Sequence, residues 1–138
     1  MTRFLLAFLL LIVSLGCSGN KEPVGTVQGT VVVDGSAPSE RLRLSFYNSM
    51  TGKGATGRTA ENGEFQLERP LPVGTYKIIV DRLQLDESES GGGSLASMNI
   101  DNAYANDETT PLSLEVVEGE NRYEITLQPP TKKGAARR

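Results

Sequence analysis

The sequence predicts an all-β domain, a two-sheet sandwich of seven short strands, and three features carry that expectation. Apolar residues recur at every second position rather than with the 3.6-residue period of a helix. Glycine- and asparagine-bearing turn pairs punctuate the chain between those runs. After the apolar N-terminus, no stretch of ten residues carries a helical stripe.

The chain opens with Arg3 and an unbroken apolar run of ten residues, Phe4 to Val13. A bilayer-spanning helix needs about 20 apolar residues. A shorter run behind a positive charge reads as a secretory signal. Ser14, Leu15 and Gly16 follow, and then Cys17, the single cysteine of the 138 residues. This arrangement resembles the lipobox of bacterial lipoproteins, with Gly16 as the small residue before the cysteine and Ser14 where leucine is usual. The resemblance implies that residues 1–16 are a signal peptide and that Cys17 receives a diacylglyceryl group and becomes the new N-terminus. Two or three acyl chains anchor stably where one is marginal, each buried CH₂ contributing about 0.8 kcal/mol. Residues 17–23 then form a lipidated tether, in which "SGNKEP" is polar and ends in a proline. Ser18 supplies no strong signal for retention at the inner membrane, so the expected location is the cell envelope, lipid-anchored at the outer membrane or facing the periplasm, with the choice of membrane left open.

The domain occupies residues 24–128. In "VQGTVVV", Val27, Val31 and Val33 share a face, with Gln28 and Thr30 opposite. "RLRLSFY" alternates Leu42, Leu44 and Phe46 with Arg41, Arg43, Ser45 and Tyr47. A weaker strand is expected over "GATGRTA", residues 54–60, and a short one over "EFQL", with Phe65 and Leu67 inward. "TYKIIVD" sets Tyr76, Ile78 and Val80 on one face. "PLSLEVV" and "RYEITLQ" supply Leu112, Leu114 and Val116, then Tyr123, Ile125 and Leu127. All are expected as half-buried antiparallel strands. Asp34-Gly35, Asn62-Gly63 and "EGEN" at 118–121 have turn chemistry. One segment breaks the rhythm: about 30 residues separate Val80 from Pro111, longer than loops in compact domains usually are. Within it "DESESGGGS" is flexible by composition, while Ile100 and Tyr104 are suited to pin the returning chain. Residues 129–138 end in "KKGAARR" and read as a basic disordered tail.

Composition narrows the function. The chain has 14 basic and 17 acidic residues and a net charge of −3, and no histidine or tryptophan. Without Arg3 and the four basic residues of the tail, the body is more acidic still. Such a body repels phosphate backbones, which argues against nucleic acid as a partner. Missing histidine removes the usual general base and the commonest transition-metal ligand. Within the domain, residues 24–128, no Ser-x-x-Lys pattern offers a lysine base. No enzyme activity and no cofactor are expected.

The turn-and-strand series resembles the carboxypeptidase regulatory-like domain. "GTVQGTVVVDG" resembles its opening strand and turn, "GRTAENGEFQL" its strand, acidic turn and next strand, and "LPVGTYKIIV" its G-x-Y-x-V strand. "YANDETTPLSLEVVEGENRYEITL" resembles the C-terminal part found in small bacterial lipoproteins built from this one domain. The turn departs from the family at Asn62, an amide where a second acid is usual. The resemblance implies a transthyretin-like, seven-stranded Greek-key sandwich. It implies no peptidase, since the zinc-bearing catalytic domain that accompanies this module in carboxypeptidases is not in the chain.

Candidate sites are few. Asp86, Glu87 and Glu89 form an acidic cluster beside glycines, read as a solvated loop or as a weak ligand site together with Tyr104. Asp101, Asp107 and Glu108, with Asn102 and Asn106, offer oxygens for calcium at irregular spacing. Glu61, Asn62 and Glu64 read as a plain hairpin rather than a calcium loop. Tyr47, on the polar face of its strand, reads as an exposed ring able to stack on a sugar or, more often for a single tyrosine, as cover for the sheet edge or packing under a loop. The expected role is a lipid-anchored, non-catalytic binding or structural module that makes protein contacts, with carbohydrate or calcium binding as the alternative. Its partners are the membrane, through the anchor, and an envelope protein or polysaccharide; the oligomeric state is left open.

Overall fold

A computed structural model describes residues 19–83 and 94–131. The protein is all-β. Its strands in chain order are β1 (Val24–Val33), β2 (Leu42–Asn48), β3 (Lys53–Thr59), β4 (Glu64–Leu67), β5 (Leu71–Pro72), β6 (Gly74–Arg82), β7 (Ser113–Val116) and β8 (Gly119–Leu127). Two single 3₁₀ turns, Leu95–Met98 and Asn102–Ala105, lie between β6 and β7. Among the described residues no helix is long and apolar enough to cross a membrane.

The strands form one curled sheet in the order β5-β1-β4-β3-β2-β6-β7, with β8 paired to the other side of β1. All pairings are antiparallel except β1 with β8, which run parallel from Gly25↔Gly119 to Val33↔Leu127. This corrects the expectation of antiparallel pairing throughout. The long excursion after β6 and the short β7 bring the chain back at the pole where β1 starts, so β8 leaves in the same direction as β1.

The strand count is eight rather than seven. The addition is β5, whose two residues pair with Val24 and Gly25. It is too short to show alternation, and Pro72 lacks an N–H to pair, so the sequence carries no strand signal there. The "EGEN" segment is also less of a turn than its composition suggests. Only Gly119 takes a positive φ, 94°, and β8 already begins there.

Curling turns the inward-facing apolar residues of every strand, the edge strands β5, β7 and β8 included, into one core. Val27, Val31, Leu42, Leu44, Phe46, Tyr76, Ile78, Val80, Val116 and Leu127 are at most 1 % exposed. Phe46 and Phe65 meet with ring centroids 6.2 Å apart. The 3₁₀ segment adds Leu95, Met98, Ile100 and Tyr104 to the same cluster.

The turns follow their residues. Asp34 and Gly35 both take positive φ, 51° and 79°, closing a two-residue hairpin sealed by Val33 and Ser36. At Asn62-Gly63 the Asn62 side-chain oxygen accepts from the Glu64 N–H at 3.1 Å, and Gly63 takes φ 82°. Glycine is required at 63 for a second reason: a Cβ there would sit 2.4 Å from the Val31 carbonyl oxygen.

Candidate ligand-binding groove

The polar faces of β8, β1, β4 and β3 lie side by side on the outside of the curl. Register fixes which residues are neighbours. Arg122 stands opposite Gln28, Gln28 opposite Gln66, and Gln66 opposite Arg58. The row continues through Arg43 to Asp81. Adjacent strands are about 4.8 Å apart, so Arg122 and Arg58 are separated by roughly 14 Å at the backbone. Two residues along the strands lies a second row, Glu124, Thr30 and Glu64. The groove thus has a row of guanidinium and amide groups beside a row ending in two carboxylates, about 7 Å away.

All of these residues except Arg43 and Asp81, which lie beyond its end, line an open groove of about 620 Å³, floored at its centre by Gly29. Gly29 is where β1 is squeezed most closely, since a Cβ there would lie 1.8 Å from the Tyr123 carbonyl oxygen. Glu120 braces one end: it accepts from the Gln28 side-chain amide and pairs with Arg122 at 3.2 Å. At the other end Arg43 is neutralised by Asp81 at 3.2 Å. Between them, Arg58, Glu64 and Glu124 make no ion pair among the described residues. Arg58 is therefore the cation of the row with no carboxylate paired to it among the described residues.

The aromatic rings at the groove do not face it. Phe65 is 5 % exposed in the core. Tyr123 is half-buried and gives its hydroxyl to the Glu115 carbonyl. Burial, and then the nearby Glu115 carboxylate, push the Tyr123 phenol above its ordinary range.

The sequence-nominated residues lie elsewhere. Cys17, Asp86, Glu87 and Glu89 fall outside the described residues. Tyr104 is 5 % exposed, and its hydroxyl accepts from the Gln128 N–H at 3.1 Å. It pins the returning segment to the end of β8. Asp101 caps the second 3₁₀ turn, accepting from the Ala103 N–H at 2.9 Å, and also accepts from Thr131. These bonds, Ala103 first, hold its carboxyl below the usual aspartate range. Asn106 accepts from the Glu108 N–H, and the Asp107 carbonyl accepts from Lys77. Asp101, Asp107 and Glu108 do not converge: no group of three metal-ligating side chains occurs among the described residues. Glu61 pairs loosely with Arg41 at 3.6 Å, and Tyr47 is 37 % exposed on the outer face of β2.

Sequence reasoning identified the strands that carry the groove but not the groove. Gln28, Arg58, Gln66 and Arg122 each sit at a polar position of a recognised strand. Their adjacency depends on strand order, which alternation does not encode.

No family model matches the chain, and no curated protein matches it. Solved structures do. The Bacillus anthracis TIE protein is 21 % identical, with a TM-score of 0.46 over 78 % of this chain and 17 % of its own. A leucine-rich repeat protein from Bacteroides thetaiotaomicron is 19 % identical, with a TM-score of 0.45 over 77 % of this chain and 12 % of its own. A DUF3823 family protein from Parabacteroides merdae is 16 % identical, with a TM-score of 0.42 over 78 % of this chain and 47 % of its own. The chain therefore spans less than half the length of each of these three proteins.

Proposed function

We propose that this is a lipid-anchored cell-envelope module that binds an extended polypeptide segment of a neighbouring envelope protein, without catalysis. We further infer that its curled sheet is a transthyretin-like Greek-key sandwich, with arms β4-β1-β8 and β3-β2-β6-β7 meeting at β3. A core filled from both arms, and pairing of β3 with both β2 and β4, support that reading.

The observation that carries the function is the pair of oppositely charged rows on the outer face. An extended peptide carries both signs of charge and a regular series of amide donors and acceptors. Two guanidiniums, two side-chain amides and two carboxylates match that chemistry. A neutral polysaccharide would use the amides but leave the charges unanswered. Within the groove it would also find no ring to stack on, because Phe65 and Tyr123 face inward. Glu64 and Glu124 are exposed and held by no ion pair, whereas catalysis by a carboxylate pair needs a braced geometry. Cys17 would supply localisation, and the groove would supply contact.

The test is a photo-crosslinking residue at position 66 in intact cells. The expected product is one discrete protein adduct, lost in Arg58→Glu and lost again in Cys17→Ser, which would release the module from the membrane. A glycan adduct, or a smear unchanged by Arg58→Glu, would refute the proposal.

A further inference from the structure

We propose that the pole of the domain where β1 begins is a membrane-docking surface, seated on the lipid bilayer by apolar side chains. This inference rests on the lipid anchor at Cys17 proposed above.

The large hydrophobic residues exposed among the described residues are Val24, Tyr47, Met50, Val73 and Val117. They are far apart in sequence, yet strand direction gathers them at one end. Val24 starts β1. Tyr47 is the next-to-last residue of β2, opposite Gly54, the second of β3, and Met50 is at the tip of the hairpin between them. Val73 precedes β6, and its N–H donates to the Pro23 carbonyl at 3.0 Å. Val117 follows β7, and its carbonyl lies against Gly25 of β1. The opposite pole, with the Asp34-Gly35 and Asn62-Gly63 turns, exposes no large apolar side chain among the described residues. Met50 is 95 % exposed and Val117 51 %. Single exposed apolar residues are ordinary, but their confinement to one end marks a contact surface.

What covers this surface follows from where the chain enters. Pro23 is fastened to the pole by the bond from Val73, and Glu22 by its pair with Lys53. Pro23 lies six residues after Cys17, a stretch that spans at most about 22 Å when fully extended. An acylated Cys17 cannot leave the bilayer, so this pole is the part of the domain held nearest to it. Effective concentration then makes even weak apolar contacts productive, and side chains at such a rim sit in the headgroup–acyl boundary.

Charge is not the driving force. Lys53 is already paired with Glu22, and the other cations at this end, Lys21 and Arg69, are matched in number by two acids. Glu68 and Glu118 lie at the same end. Docking should therefore occur on neutral lipid and resist salt. It would also stand the strands upright, holding the groove about 13 Å above the pole, open to the side.

The test uses the full acylated protein in phosphatidylcholine vesicles with brominated acyl chains. The chain has no tryptophan, so Met50→Trp introduces a single reporter at the pole and Ser36→Trp a control at the far end. Intact mass first establishes that the protein carries its acyl chains. The expected result is about twofold quenching and a blue shift at position 50, unchanged by salt, with no quenching at 36. Acylated protein with no quenching at 50, or equal quenching at both positions, overturns the docking and leaves the anchor standing. Protein without acyl mass overturns both.

Discussion

The side-chain amide of Asn121 on β8 donates to the backbone carbonyl of Thr26 on β1, 3.1 Å away. The same residue holds the β7–β8 corner: it accepts from the Val117 N–H at 3.0 Å and donates to the Val117 carbonyl at 2.8 Å. Asn121 is 4 % exposed, so these bonds replace water it cannot reach. One side chain thus ties the parallel β1–β8 pair to the connection that creates it. Removing a buried hydrogen-bonding group strands its partners, at about 1–3 kcal/mol. Asn121→Ala should lower stability by about 2 kcal/mol and the melting temperature by roughly 10 °C, with the all-β circular dichroism retained. A melting temperature within a degree or two of wild type would contradict this role.

Gly29→Ala should be more damaging. Its Cβ would collide with the Tyr123 carbonyl, and backbone on both sides of β1 leaves nothing free to move aside. A loss of about 3 kcal/mol or more is expected. Gly35→Ala, where a Cβ meets nothing, would cost only the positive φ, about 1 kcal/mol. Urea midpoints of the two variants, compared at equal slope, measure the difference.

Stability should fall at both extremes of pH for separate reasons. The Asp101 carboxyl is held below 3.8 by the Ala103 and Thr131 bonds. Its contribution is therefore present above that pH and lost as pH falls through the lowered folded value. Tyr76 and Tyr123 have phenols raised above 10.0, first by burial, then by Glu22 and Glu115 respectively. Their contribution is present below pH 10 and lost as pH rises through the raised values. Asp101→Asn should flatten the acid limb and Tyr76→Phe the alkaline limb, each leaving the other unchanged in a pH series of urea midpoints.

Arg58→Glu separates binding from folding. Arg58 is exposed and makes no ion pair among the described residues, so stability should stay within about 0.5 kcal/mol of wild type. Capture of the partner at the groove should be lost, because the change reverses charge where an anion would be held. An unfolded Arg58→Glu, or unchanged capture, would speak against the groove.

Much of the fold is legible in the sequence because alternation is a local signal. Leu42, Leu44 and Phe46, or Tyr76, Ile78 and Val80, declare their strands and their inner face without reference to any other residue. The Asn62-Gly63 hairpin is equally local. What stays hidden is long-range. Gln28 and Arg122 are neighbours across strands 94 residues apart, and nothing near either residue announces the other. The parallel β1–β8 pair and the gathering of Met50, Val73 and Val117 at one pole are hidden for the same reason. Asn121 illustrates the opposite error, since "EGEN" reads as a turn while here its asparagine is a buried clamp inside a strand.

The anchor underlies both the proposed function and the docking pole, and the mass of the protein extracted from the membranes of producing cells tests it most directly. The account predicts a chain beginning at Cys17, lacking residues 1–16 and carrying diacylglyceryl mass on that residue, with the Cys17→Ser variant neither processed nor acylated. A chain with a free Cys17 thiol, or a Cys17→Ser variant processed to the same mature length, would contradict it.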